Sequence, residues 1–155
     1  MRLECTSLIP CSVERLAAEL ERPVLLQHLA APMLVFVPSD PPAFPATWSP
    51  GAYEARLLLG GRLPLGVHTL VPQPLPPDAA PLVWHDAGHS GLIRVWDHQI
   101  TIEAVHGMTR YTDRVEVHAG LLTGVAWLFA RAFYAHRQRR LNRLAAVGFD
   151  YDRAL

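Results

Sequence analysis

Three polar side chains fall where an alternating pattern otherwise places apolar ones: His98, Tyr111 and Asp113. They lie in two segments of clean two-residue periodicity, 93–104 and 109–117. In the first, Asp97, Gln99, Thr101 and Glu103 make one face, and Trp96, His98, Ile100, Ile102 and Ala104 make the other,. In the second, Arg110, Thr112, Arg114 and Glu116 alternate with Thr109, Tyr111, Asp113, Val115 and Val117. The apolar face of each strand turns to the core. An imidazole, a phenol and a carboxylate are therefore carried inward together.

An imidazole beside a carboxylate supports two readings. One is a buried hydrogen-bonded pair that fixes strand register and partly offsets its own desolvation. The other is a ligand-binding or acid–base pair in a cavity, with His98 as general acid or base and Asp113 orienting it. Burial lowers an imidazole pKa and a nearby carboxylate raises it, so the two effects on His98 oppose each other. Tyr111 adds a phenolic donor for a ligand carbonyl or for a protein partner. Arg94 shares the parity of His98 and marks either a pocket mouth or a solvated strand end.

The turn between the strands decides how these groups meet. A two-residue turn at His106–Gly107 pairs Ile100 with Asp113 and Ile102 with Tyr111, leaving His98 diagonal to Asp113,. A four-residue turn puts His98 directly opposite Asp113. Both make them neighbours on the inner face.

The elements around the hairpin follow from proline. All fourteen prolines lie at or before Pro81. The first half is thus cut into short elements and the second runs uninterrupted. Residues 2–9 alternate as a strand, with Leu3, Cys5 and Ser7 on one face. Ser12 caps a short helix bearing Val13, Leu16, Ala17 and Leu20 on one side,. Pro23 opens a second short helix that ends at Pro32,. Residues 33–37 read as a buried strand. The segment 38–50 holds five prolines with Phe44 and Trp48, which suits a loop that packs on something,. Strands are expected at 52–59 and 64–72, then a proline-rich connection at 73–81, a strand at 82–87 and a turn at 88–91. From Gly120 to Val147 nothing interrupts a helix, which would span about 40 Å,. Leu122, Val125, Ala126, Phe129, Ala132 and Phe133 make its apolar stripe, and HRQRRLNR (136–143) reads as a solvated end,.

Bulk properties bound the function. At 155 residues the chain fits one domain spanning 1–155 with a full core,. Fourteen basic residues, all Arg, balance fourteen acidic ones, so no net field attracts nucleic acid or an anionic membrane,. No segment is long and apolar enough to insert in a membrane, and no leader pattern precedes Glu4, so a cytoplasmic location is expected,. Cys5 and Cys11 do not make a disulfide framework,. His85 and His89 are four apart but sit by a glycine turn, and no metal set is expected,. No phosphate loop, nucleophile elbow or dinucleotide fingerprint occurs, and no cofactor is expected,.

The order strand, two short helices, a run of antiparallel strands and a long helix resembles the helix-grip fold of the START-like (SRPBCC) superfamily. That superfamily includes bacterial cyclase/dehydrase-like proteins and the birch pollen allergen group. The resemblance covers nearly the whole chain and is strongest in WSPGAYEARLLLGGRLPLG (48–66), IRVWDHQI (93–100), MTRYTDRVEVHAGLLTG (108–124) and FYAHRQRRL (133–141). It implies an α+β fold in which a curved antiparallel sheet of about six or seven strands wraps the C-terminal helix. It also implies a deep cavity for lipids, polyketides or similar apolar molecules, with the proline loops at its mouth. No catalytic residue is carried over, because no enzyme subgroup's pattern is matched.

Three functions are consistent with this sequence. The first is binding of a small apolar ligand by Trp96, His98, Ile100, Ile102, Tyr111, Asp113, Val125, Phe129 and Phe133. The second is a cofactor-independent cyclase, dehydratase or hydrolase using His98 and Asp113. The third is a protein-interaction module with a collapsed cavity, using the loop around Trp48 or Arg139 and Arg140. Neither ligand identity nor oligomeric state is encoded in any motif.

Overall fold

The computed structural model describes residues 1–73, 82–91 and 93–154. Strand β1 (Arg2–Ile9) buries Leu3 and Ile9 and exposes the residues between in alternation. Ser12 caps α1 (Val13–Leu20) by accepting a hydrogen bond from the Arg15 amide at 3.2 Å,. Pro23 occupies the first turn of α2 (Pro23–Ala30), where its missing N–H costs nothing,. Strands β2 (Leu34–Asp40), β3 (Tyr53–Leu59), β4 (Leu63–Leu70), β5 (Pro72–Gln73), β6 (Leu82–Ser90), β7 (Val95–Val105) and β8 (Met108–His118) follow. A 3-10 turn at Gly120–Leu122 leads into α3 (Thr123–Ala146). The fold is α+β, as expected.

The strands form one antiparallel sheet in the order β1-β8-β7-β6-β4-β3-β2, with β5 paired to β6 off this path. The two halves meet at a narrow joint: β4 and β6 pair only at His68–Ser90 and Thr69–His89. Helix α3 packs on β1, β8 and α2. The β7–β8 turn is the two-residue one. His106 and Gly107 both have positive φ, 48° and 79°, as a type I′ hairpin requires,. Ile100 faces Asp113 and Ile102 faces Tyr111.

The core divides in two. One cluster joins α1, α2 and the end of α3 through Leu16, Leu29, Ile102 and Leu141. The other joins β2, β3 and the middle of α3 through Phe36, Tyr53, Ala130 and Phe133.

Three expectations need correction. Strand β6 does not turn at Gly88 but runs on to Ser90, with Gly88 paired to Trp96. A Cβ at Gly88 would sit 2.6 Å from His68 Nε2, so glycine keeps the strand straight against a side chain,. The apolar stripe of α3 is not all core: Leu122, Val125 and Ala132 are exposed. The stretch 136–143 is not wholly solvated either, because Arg137, Gln138 and Leu141 are buried. The loop after β2 does pack. Phe44, Trp48 and Tyr53 stack edge to face, and the Trp48 amide donates to the Glu21 carbonyl at 2.7 Å. Most of the second proline-rich connection, 74–81, lies outside the described residues.

Candidate functional site

A cavity of about 350 Å³ lies between the sheet and α3. Leu34, Phe36 and Leu57 border it from one half of the sheet, Trp84, Trp96 and Ile100 from the other, and Phe129 and Phe133 from α3. Leu20, Leu25 and Leu26 close it from the two short helices, and Trp48 from the first proline loop. At its rim Leu122 and Val125 border the cavity while remaining exposed to solvent. The third expected reading needed this space to be filled; it is open.

Of the residues expected at a site, Trp96, His98, Ile100, Val125, Phe129 and Phe133 border the cavity. Ile102, Tyr111 and Asp113 do not: they are almost fully buried in the wall behind it. Arg94 is exposed and takes no part.

The wall contains a closed polar cluster. Asp113 Oδ1 accepts from the Tyr111 hydroxyl at 2.8 Å and lies 2.7 Å from His98 Nε2. Its Oδ2 accepts from Gln138 Nε2 at 3.0 Å, and Gln138 also donates to the Cys5 carbonyl at 2.7 Å. This cluster ties β1, β7, β8 and α3 together. His98 is its one member that reaches the cavity.

Five further polar groups border the cavity: His68 on β4, Asp86 and Ser90 on β6, and Tyr134 and Arg137 on α3. The family model for a domain of unknown function, DUF8410, matches residues 32–145, most of the chain and most of this cavity wall. The chain is a member of the DUF8410 family. No protein of curated function matches it. Among solved structures it is similar to protein CV1439 from Chromobacterium violaceum, at 13% identity and a TM-score of 0.67, over 93% of this chain and 96% of that one. It is similar to TTHA0849 from Thermus thermophilus at 10% identity and a TM-score of 0.64, over 96% and 99%. Ara h 8.0201, a Bet v 1-like protein, matches at 9% identity and a TM-score of 0.54, over 91% and 97%. At these identities the likeness is one of fold, the helix-grip arrangement of an antiparallel sheet around a long C-terminal helix.

The cavity of this DUF8410 chain has distinct electrostatics. Burial lowers the His98 pKa more than Asp113 raises it, so the ring is neutral and its Nε2–H donates to Asp113,. Burial alone would raise Asp113, but the hydrogen bond from His98, the Arg137 cation and the hydrogen bond from Gln138 hold its carboxyl below the ordinary value. His68 is pushed down to about 4, first by burial and then by His89. Asp86 is pushed up to about 6 by burial, even though its Oδ1 accepts from the Val71 amide at 2.8 Å. Arg137 stays a cation: burial works against its charge, and Tyr111, Tyr134, Asp113 and Asp86 more than restore it.

Sequence reasoning missed His68, Asp86 and Arg137. Arg137 was legible from spacing, since it stands four after Phe133 and four before Leu141, both buried,. Asp86 shares its face with Trp84 and Gly88, but a short strand entered from a proline loop gives a weak period.

Proposed function

We propose that this protein binds a small apolar molecule in the cavity between its sheet and α3. One observation carries this reading: about 350 Å³ is left open where protein interiors close-pack, and its walls are overwhelmingly Leu, Phe, Trp and Ile,. Ligand sites have this form, concave and apolar with a few fixed polar groups. The exposed apolar rim at Leu122 and Val125 supports it as an entrance. The helix-grip fold supports it as well, since START-like superfamily members use this space for lipids, polyketides and related molecules. The test is to purify the protein, denature it, extract it with organic solvent and compare the extract with a mock preparation by mass spectrometry. A stoichiometric apolar compound is expected; its repeated absence at saturating exposure to cell extract would overturn the reading.

A second reading, a cofactor-independent cyclase, dehydratase or hydrolase, draws on one detail. His98 borders the cavity with Nε2 engaged by Asp113, which fixes the tautomer and leaves Nδ1 as the basic nitrogen,. In that case His98→Phe abolishes turnover and retains ligand binding, whereas in the carrier reading no turnover exists to lose.

A further inference from the structure

We infer that the molecule this cavity takes carries one carboxylate, held by the guanidinium of Arg137. The inference rests on the cavity being a ligand site and adds the chemical class of the ligand. Arg137 is 6% exposed and borders the cavity, yet it makes no hydrogen bond and no ion pair among the described residues, and its Nε is buried without an acceptor. Its Cζ lies 5.2 Å from the ring centre of Tyr134 and 5.8 Å from that of Phe133, so aromatic faces frame the cation but accept nothing from its N–H groups,. A guanidinium has five donors, and leaving the buried Nε–H unmet is costly, while the terminal N–H groups remain free to meet a molecule in the cavity,.

The nearby carboxylates do not meet this need. Asp113 has both oxygens engaged by His98, Tyr111 and Gln138. Asp86 holds the Val71 amide. The acceptor that Arg137 lacks is therefore absent from the described protein, and the planar two-oxygen group that fits a guanidinium fork is a carboxylate. One carboxylate suits the site better than a dianion. His68 is neutral near pH 7, so among the described residues Arg137 is the cavity's single cation. Asp86, with its carboxyl already pushed up to about 6, can take up a proton when a second anion enters beside it.

The probes are decanoate and 1-decanol, which share a chain length and differ in charge, titrated by calorimetry at pH 7.5 into the wild-type chain, Arg137→Met and Arg137→Gln. Wild type is expected to bind decanoate at least tenfold more tightly than 1-decanol. Either variant is expected to erase that preference by weakening decanoate while sparing the alcohol. Equal affinity in wild type would overturn the carboxylate and leave the apolar site standing. A preference that survives in a folded variant would overturn the role of Arg137. Failure of both probes to bind wild type would remove the ligand reading and this inference together. The wild-type comparison decides whether the ligand carries a carboxylate even where one variant does not fold, and the other variant then decides the role of Arg137.

Discussion

Asp113 is fully buried yet stays charged, because His98, Tyr111 and Gln138 direct donors at its two oxygens. Asp113→Ala strands those donors together, which is expected to cost roughly 3 kcal/mol or more. Urea denaturation measures this, and a loss under about 1 kcal/mol would show that the cluster is not what ties β8 to α3. The pH dependence follows from two groups that oppose each other. His68, depressed to about 4, contributes stability that is present above its ordinary value of 6.5 and lost as pH falls towards 4,. Asp86, raised to about 6 from 3.8, contributes stability that is present at low pH and lost as pH rises through 6,. Between pH 4 and 6 the slopes have opposite signs, each up to about 1.4 kcal/mol per pH unit. Asp86→Asn is therefore expected to steepen the loss of stability from pH 6 to 4, read from urea midpoints; an unchanged slope would contradict the assigned shift. At this scale the parity of His98, Tyr111 and Asp113 was legible in the sequence. Their closure into a wall rather than a lining was not, because Gln138 completes the cluster from a helix far along the chain.

At the scale of elements, the narrow joint between β4 and β6 sets the cavity's polar side. It holds because Gly88 leaves room for the His68 ring. Gly88→Ala is expected to cost roughly 1–3 kcal/mol by overpacking. His68→Ala removes the ring and most of the collision, leaving the Thr69 carbonyl at 3.3 Å as a tight but tolerable contact. A double-mutant cycle is thus expected to show a coupling of about 1 kcal/mol or more, and strict additivity would contradict the contact. The two short helices, the hairpin register and the long helix were legible because proline, capping and periodicity act locally. The length of β6 was not. Gly88 reads as a turn residue until the side chain that needs its space is known, and that side chain lies in another strand. Helix α3 misled for a related reason. Its apolar first half and the turn before it expose Leu121, Leu122, Val125 and Leu128, while its charged second half buries Arg137. Of these residues Leu122, Val125 and Arg137 border the cavity, so polarity and burial do not match along this helix as they do on a helix packed on a filled core.

For the whole molecule, the two core clusters stabilise the fold while the space between them stays open. That division explains how a 155-residue chain can keep a cavity and still bury a core at each end,. The most direct measurement is calorimetric titration of 1-decanol into the wild-type chain and Ala126→Trp, a variant that adds an indole at a half-buried position on the cavity wall. Saturable one-to-one binding to wild type is expected, weakened at least tenfold in the variant while its urea midpoint is held or raised. No binding to wild type, or equal binding to a folded Ala126→Trp protein, would contradict a ligand site between the sheet and α3.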